Sequence, residues 1–335
     1  MTKNSSAKEQ IQKILDDYGG KTATQAPNLL LKDPTLKELK PGLEFISKNW
    51  RDPLRPALIK LACESVGGKP EETDEVAVAM SLMNLSFYLW DDLLDQAPIR
   101  LFRPTFFGKF GKAQTLILGG LVSAKAFTIL NQTLLDQAKK GAISRLFWNM
   151  WTKMAETETL NLRHRNGEYS AKDKLFKIET EAAANLQACL KIGALMGNGS
   201  EEEILHLGKY GFYLGVILEL QIDVQVSLNL TLELIDKIRS GGYPYTLLWA
   251  KEHNLDLQRE LQDSLKLKTI GPATTEKIVV GVLESKVLDE IEKKIQTLTK
   301  KGTKELQTIK KNSAITALRI IVEAQPQLFK EGLCI

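Results

Sequence analysis

The fifteen residues from Val76 to Trp90, VAVAMSLMNLSFYLW, carry no charge, and the five that follow, DDLLD, carry three carboxylates. An apolar run of this length with no charged face reads as a helix enclosed by other helices. Asp91 and Asp95 are i and i+4, so they share a face of that helix, with Asp92 one step round it. No Lys or Arg lies within the run or the cluster, and the first basic residue beyond it is Arg100. Three acids at a helix C-terminal end oppose the macrodipole, so a cation from elsewhere should compensate them. A solvated acidic patch is the plain alternative. Magnesium is the chemical one, being a hard cation bound through one or two carboxylates plus substrate phosphates.

Helical spacing continues along the chain. Val287, Leu288, Ile291, Ile295 and Leu298 recur at three- and four-residue steps with lysines and glutamates between them, and sustained strand-like alternation is absent. Ser170 with Asp173 and Ser200 with Glu203 fit capping boxes at helix starts. Breaks fall at GGKPEET, KKGA, RNGEYS, GNGS, RSGGYPY and TIGPA. They leave no linker long enough to separate domains, so the expectation is all-α and single-domain. The stretch from Phe212 to Leu230 is long and apolar, but Glu219 and Asp223 within it are expensive in hydrocarbon. It reads as the central helix of a soluble protein, with no transmembrane segment expected.

Composition narrows the setting. With 45 basic and 41 acidic residues the net charge is +4, too balanced to indicate a nucleic-acid partner. Three cysteines, Cys63, Cys189 and Cys334, are too far apart for a disulfide framework or a zinc site. The N-terminus is polar and has no apolar signal core. A cytoplasmic protein is expected.

The segments flanking the acids carry a family pattern. WRDPLRPALIKLACESVGG precedes DDLLD and IRLFRPTFFGKFGKAQTLILGG follows it, with NLQACLKIGALMG, YGFYLGVILELQIDVQV and SGGYPYTLLWA further on. This order resembles the trans-polyprenyl diphosphate synthase family of the class I isoprenoid synthase fold, from about Leu43 to Ala250. The resemblance implies a multi-helix bundle around a central cavity. Residues 1–335 would form one domain, with 1–42 as an N-terminal helical extension and 251–335 as C-terminal helices. It also implies Mg2+ and an allylic prenyl diphosphate substrate. Asp91 and Asp95 would be the metal ligands, Asp92 would support them in catalysis, and Arg100 would grip the diphosphate. Pro104 and Thr105 match the Pro-Thr of the family's Arg-Arg-Gly-x-Pro-Thr segment.

Other positions depart from the family pattern. Asp52 and Pro53 replace a Lys-Arg pair, leaving Arg55 and Pro56. Asn84 replaces a His or Gln, and Leu101 replaces the second arginine. These positions ordinarily bind isopentenyl diphosphate, the acceptor, and each lost charge-assisted hydrogen bond costs about 1.5–3 kcal/mol. Arg51 is the residue available to swing into the vacancy. A Lys-Thr pair falls at Glu181-Ala182, and the second aspartate motif keeps only Asp223. Glu219 replaces the Gln before that motif, and Gly241-Gly242 the Gly-Lys after it. Glu219 and Asp223 share a helix face, to hold a metal or to pair with a cation from a neighbouring helix. Glu158 and Asn161 fall at cavity-facing positions.

Three functions fit this pattern: a magnesium-dependent prenyltransferase divergent from chain-elongating synthases; a terpene synthase-like enzyme that ionises the same substrate without an acceptor; and a non-catalytic subunit of a heteromeric synthase. Prenyl transfer ranks first because the whole framework is a prenyltransferase's. The family usually pairs through helices beside the first aspartates, and the apolar stretch from Ile117 to Leu130 suits a homodimer or a heteromer with another prenyl synthase. Phe87, above Met83 and beside Ser86, would shorten the cavity to a substrate of about ten to twenty carbons. In KVLDEIEKKIQTLTKKGTKELQTIKK the lysines read as a solvated outer face.

Overall fold

The computed structural model describes residues 6–100, 103–164, 170–228, 234–235, 238, 242–266 and 270–332. Leu101 and Gly241, both named above, lie outside the described residues. The architecture is all-α, as expected. The described strand is limited to a two-residue antiparallel pair, Ile99–Arg100 with Arg103–Pro104.

The site is built around one helix and those packed about it. The charge-free run forms most of α4 (Asp74–Leu94), the chain's apolar centre. Met80, Leu82, Met83, Leu85 and Leu89 have no exposed surface. Around it lie α3 (Leu54–Ser65), α5 (Phe106–Gln132), α7 (Ala171–Met196) and α8 (Glu201–Leu228). The most extensive packing is of α7 on α8, α4 on α5 and α3 on α7. Small residues set those distances. A Cβ on Gly193 would stand 2.1 Å from the Ile59 carbonyl oxygen, and one on Gly211 would stand 2.6 Å from that of Leu186. Bare backbone at these two points therefore lets α7 lie against α3 and α8.

The helix starts follow the sequence. Ser170 and Asp173 close a capping box on α7, and Ser200 accepts from the Glu203 N–H ahead of α8. One expected break is corrected. KKGA lies inside α6 (Gln137–His164); a glycine in a helix costs about 1 kcal/mol relative to Ala, and burial of Ile143, Phe147 and Met150 on the same helix outweighs it. In α5, by contrast, Gly111 at φ 76° interrupts the helical backbone after the first turn, a conformation open to glycine.

The terminal helices join the same body. α1 (Ala7–Leu31) packs on α3 and α4. At the other end, α12 (Val287–Leu306) packs on α8, and α13 (Ser313–Glu323) packs on α3. Two helices, α5 and α8, are long and apolar enough to cross a membrane by length and composition. The apolar window of α8 is 67% buried, which makes it a core helix, whereas that of α5 is only 33% buried.

Candidate active site

The site is built from the C-terminal end of α4. The helix ends at Asp95, and the chain turns away through Gln96 at φ 50°, the left-handed residue of a helix C-terminal stop. The short hairpin that follows brings Arg100 back over the helix it has just left. Its guanidinium lies 2.5 Å from Asp91, 2.9 Å from Asp92 Oδ1 and 4.9 Å from the Tyr88 ring centroid. The compensating cation is thus Arg100. Thr105 fixes the hairpin by donating to the Ala97 carbonyl oxygen and capping α5 at the Gly108 N–H, so the Pro-Thr match serves to set the turn.

The three acids differ. Asp91 is partly open, whereas Asp92 is fully buried. Neither Asp92 oxygen accepts a well-directed hydrogen bond, despite the closeness of Arg100. Burial raises the Asp92 carboxyl to about 7, against the pull of Arg100 and with the push of Asp91. An ionised carboxylate here has one nearby cation to share with Asp91.

Across from this cluster, α6 and α7 supply more charge. Glu158 and Asn161 come from α6, and both are buried and joined by a hydrogen bond of 3.2 Å. Buried Lys177, on α7, pairs with Glu158 and lies 3.8 Å from Glu181, which accepts from the Thr157 hydroxyl. Burial pushes Glu181 up to about 8, with Glu158 and Asp91 adding to the shift against Lys177. Burial also raises Glu219 on α8, and Asp91 and Asp223 contribute. Asp91 and Asp95 help to hold the Lys177 ammonium charged, which couples the two clusters electrostatically.

Asp223 has another task. Its two oxygens accept from the backbone N–H groups of Tyr245 and Thr246 at 2.7 and 2.9 Å and from the Thr246 hydroxyl. It caps α9 (Tyr245–His253), where the positive end of the dipole favours a carboxylate. The expected Glu219–Asp223 metal pair is corrected on this ground, because Asp223 is turned to a helix end.

The residues expected at the acceptor positions close into a ring with Asn185. Asp52, nearly buried, pairs with Arg55 at 3.2 Å and accepts from the Asn84 amide at 3.1 Å. Arg55 Nε donates to Asn185, whose amide donates to Asn84 at 3.2 Å. Arg51 does not fill the vacancy: it is 55% exposed and bonds to Asp16 of α1 at 2.8 Å. Below the aspartates, Phe87 packs edge-on against Trp151 at 4.8 Å, and Trp90 meets the same ring at 6.2 Å. The hydroxyl of Ser86 points instead to the Gly119 carbonyl oxygen of α5.

Sequence reasoning missed Lys177 and Asn185. The signal for Lys177 was its place one helical turn before Glu181, where the family pattern calls for lysine. Asn185 carried no signal, since its role depends on Arg55 and Asn84 arriving from other helices.

The polyprenyl synthetase family profile matches residues 51–230, more than half of the chain, and spans both α4 and the acceptor ring. The chain belongs to the polyprenyl synthetase family. It is an enzyme of the prenyltransferase class. Among relatives of this family member, a geranylgeranyl diphosphate synthase of Methanosarcina mazei is 25% identical over 251 residues, 75% of this chain and 72% of that one. A chloroplastic geranylgeranyl pyrophosphate synthase of Arabidopsis thaliana is 27% identical over 223 residues, 64% of this chain and 62% of that one. The fold matches a polyprenyl synthase from Caulobacter crescentus complexed with calcium and isoprenyl diphosphate, with TM-score 0.81 and 18% identity over 97% of this chain and 99% of that one. A geranylgeranyl pyrophosphate synthetase from Pyrococcus horikoshii matches with TM-score 0.80 and 17% identity over 96% and 98%.

Proposed function

We propose that this prenyltransferase ionises an allylic prenyl diphosphate with the help of magnesium and does so with an acceptor subsite that does not take isopentenyl diphosphate. The observation that supports the first part is the end of α4, where the helix carries three acids and neither oxygen of buried Asp92 has a directed donor. Carboxylates are the chemistry a hard cation takes, although among the described residues no three acids stand close enough together to hold one while Arg100 lies on Asp91 and Asp92. Asp91 and Asp95 would hold magnesium, with Asp92 behind them and Glu219 facing from α8. When bound, the ion neutralises the diphosphate and makes it a competent leaving group. Arg100 turns its guanidinium from Asp91 to the diphosphate, as a fork suited to phosphate oxygens. Phe87, Trp151 and Trp90 form an apolar floor that excludes water from the cation left behind.

The second part rests on the acceptor ring. Arg55 already faces the Asp52 carboxylate within a network whose members satisfy one another. An incoming diphosphate would have to displace a partly buried ion pair and bring its own charge against Asp52. The same observation favours the terpene synthase-like reading, in which the cation cyclises or meets water. The test is purified protein with magnesium and geranyl, farnesyl or geranylgeranyl diphosphate, each with and without isopentenyl diphosphate, products read by mass spectrometry. Efficient elongation by the protein alone would overturn the acceptor part. No release of diphosphate under any condition would overturn the first.

The partly exposed face of α5 is the proposed assembly surface, for a second copy or for another prenyl synthase. The buried state of α8 supports reading it as a core helix and not as a membrane span, and a cytoplasmic setting is part of the same proposal.

A further inference from the structure

Along α4 every residue from Val76 to Ser86 is buried except Asn84, which is half-buried. Phe87, Tyr88 and Asp91 are half-buried as well, and at i+3, i+4 and i+7 from Asn84 they share its face. An open stripe therefore runs along α4 from the aspartates to Asn84, about 10 Å at 1.5 Å per residue. On α7, half-buried Asn185 is i+4 from Glu181, and its amide meets that of Asn84. The stripe ends at the ring. Asp52 and Arg55 cancel in charge there. Each asparagine spends one N–H and one oxygen lone pair within the ring, and a carboxamide has two of each. What they have left suits a group that both donates and accepts, as a hydroxyl or amino group does. A diphosphate offers acceptors alone and would bring its charge against Asp52.

We propose that the acceptor of this prenyltransferase is an uncharged organic hydroxyl or amino compound, an alcohol, a phenol or an aryl amine, held by Asn84 and Asn185. The proposal deepens the proposed function and rests on it. The allylic C–O bond breaks, and diphosphate leaves with the electron pair. A lone pair on the acceptor's oxygen or nitrogen forms the new bond to the allylic carbon. The proton it sheds passes to the Asp52 carboxylate, 3.1 Å behind the Asn84 amide. Held there, the acceptor stands in the cation's path ahead of bulk water.

The test supplies the purified full chain with magnesium, farnesyl diphosphate and one of three probes, benzyl alcohol, phenol or aniline. Mass spectrometry reads the farnesyl adduct, and a phosphate assay reads the diphosphate released. The variants are Asn84→Leu, which removes the amide at similar size, and Asp52→Asn, which keeps the hydrogen bond to Asn84 but takes no proton. An adduct with at least one probe is expected. Its yield per diphosphate released should fall about tenfold or more in both variants, the worth of one lost hydrogen bond to a buried group. A merely structural ring would lower the melting temperature and leave that ratio unchanged. A wild-type ratio in the folded variants overturns the proposal, as does isopentenyl diphosphate outrunning the probes in the same mixture. If Asn84→Leu does not fold, Asp52→Asn decides by the same ratio. Diphosphate released with no adduct from any of the three overturns the acceptor class and leaves the ionisation standing. If wild type releases no diphosphate with or without a probe, the proposed function falls and the acceptor class with it.

Discussion

Asp91 and Asp52 are one carboxylate each, yet the proposed function sets them in opposite halves of the chemistry. Asp91 shares Arg100 with Asp92 and lies partly open, so it has both the charge and the access to hold a cation. Asp91→Ala and Asp95→Ala should each reduce release of diphosphate from an allylic substrate by at least about a hundredfold, as loss of a metal-holding group predicts. Full activity in either variant, or activity indifferent to a chelator, would count against the magnesium reading. Asp52 works by occupying Arg55. Asp52→Asn keeps the hydrogen bond to the ring but removes the charge, and it should raise affinity for isopentenyl diphosphate about tenfold, the worth of one charge-assisted contact. Unchanged affinity by calorimetry would show that the missing cations, and not the added acid, set the barrier. The DDLLD cluster was legible in sequence because its members are adjacent and share a helix face. The fate of Asp223 was not. Its partners, Tyr245 and Thr246, lie more than twenty positions away, and no local pattern announces a carboxylate that caps another helix.

The helices themselves were easier to read than the contacts between them. Ser170–Asp173 marks the start of α7 because a capping box is a local arrangement of four residues. KKGA failed as a break because packing of α6 decides against the glycine, and packing is not local. Gly193 shows the same limit, since its need for bare backbone comes from Ile59 on another helix. Gly193→Ala should destabilise the fold by about 1–3 kcal/mol or more, the cost of forcing a methyl into a filled contact. A denaturant midpoint equal to wild type would refute that close approach. The facing helices also predict a pH dependence. The carboxyls of Asp92 and Glu181 are raised to about 7 and about 8, so the folded protein holds these protons more tightly than the unfolded chain. That stability is fully present below the ordinary carboxylate range and is lost as pH rises through 7 and 8. Between pH 5 and 8 each retained proton tilts stability downward by about 1.4 kcal/mol per pH unit. Asp74 and Asp33, both lowered by lysines and hydrogen bonds, act only in more acid solution. In a chelator the melting temperature should therefore fall from pH 5 to pH 8, and Asp92→Asn should flatten the slope. A melting temperature that rises across that window would contradict the buried acids.

At the scale of the whole molecule, the uneven burial of α5 and α8 is the deciding contrast. Both carry a long apolar stretch, but α8 sits between α7 and α12, whereas α5 packs on α4 along one side. Leu116 and Ile117 on α5 are 46% and 58% exposed, and Trp148 on α6 is 64% exposed. Scattered apolar residues on a surface need no account, but a long helix with an open apolar face beside α4 is the surface proposed for association. An isologous contact between two copies would bury α5 on both at once and would stiffen α4, since Gly119 of α5 lies against Trp90 and accepts, through its carbonyl oxygen, from Ser86. The apolar character of Ile117 to Leu130 was plain in the sequence. Which side of it stayed open was not, because that depends on where α4 docks. Sedimentation at micromolar concentration should give a dimer, and Ile117→Glu should shift it to monomer by placing a charge in the contact. Activity should fall in that variant together with the dimer fraction, because the helix behind Asp91 loses its support. A strictly monomeric wild type would remove the homodimer interface and weaken the heteromeric-subunit reading. A dimer that persists in Ile117→Glu would move the interface to another face of the bundle.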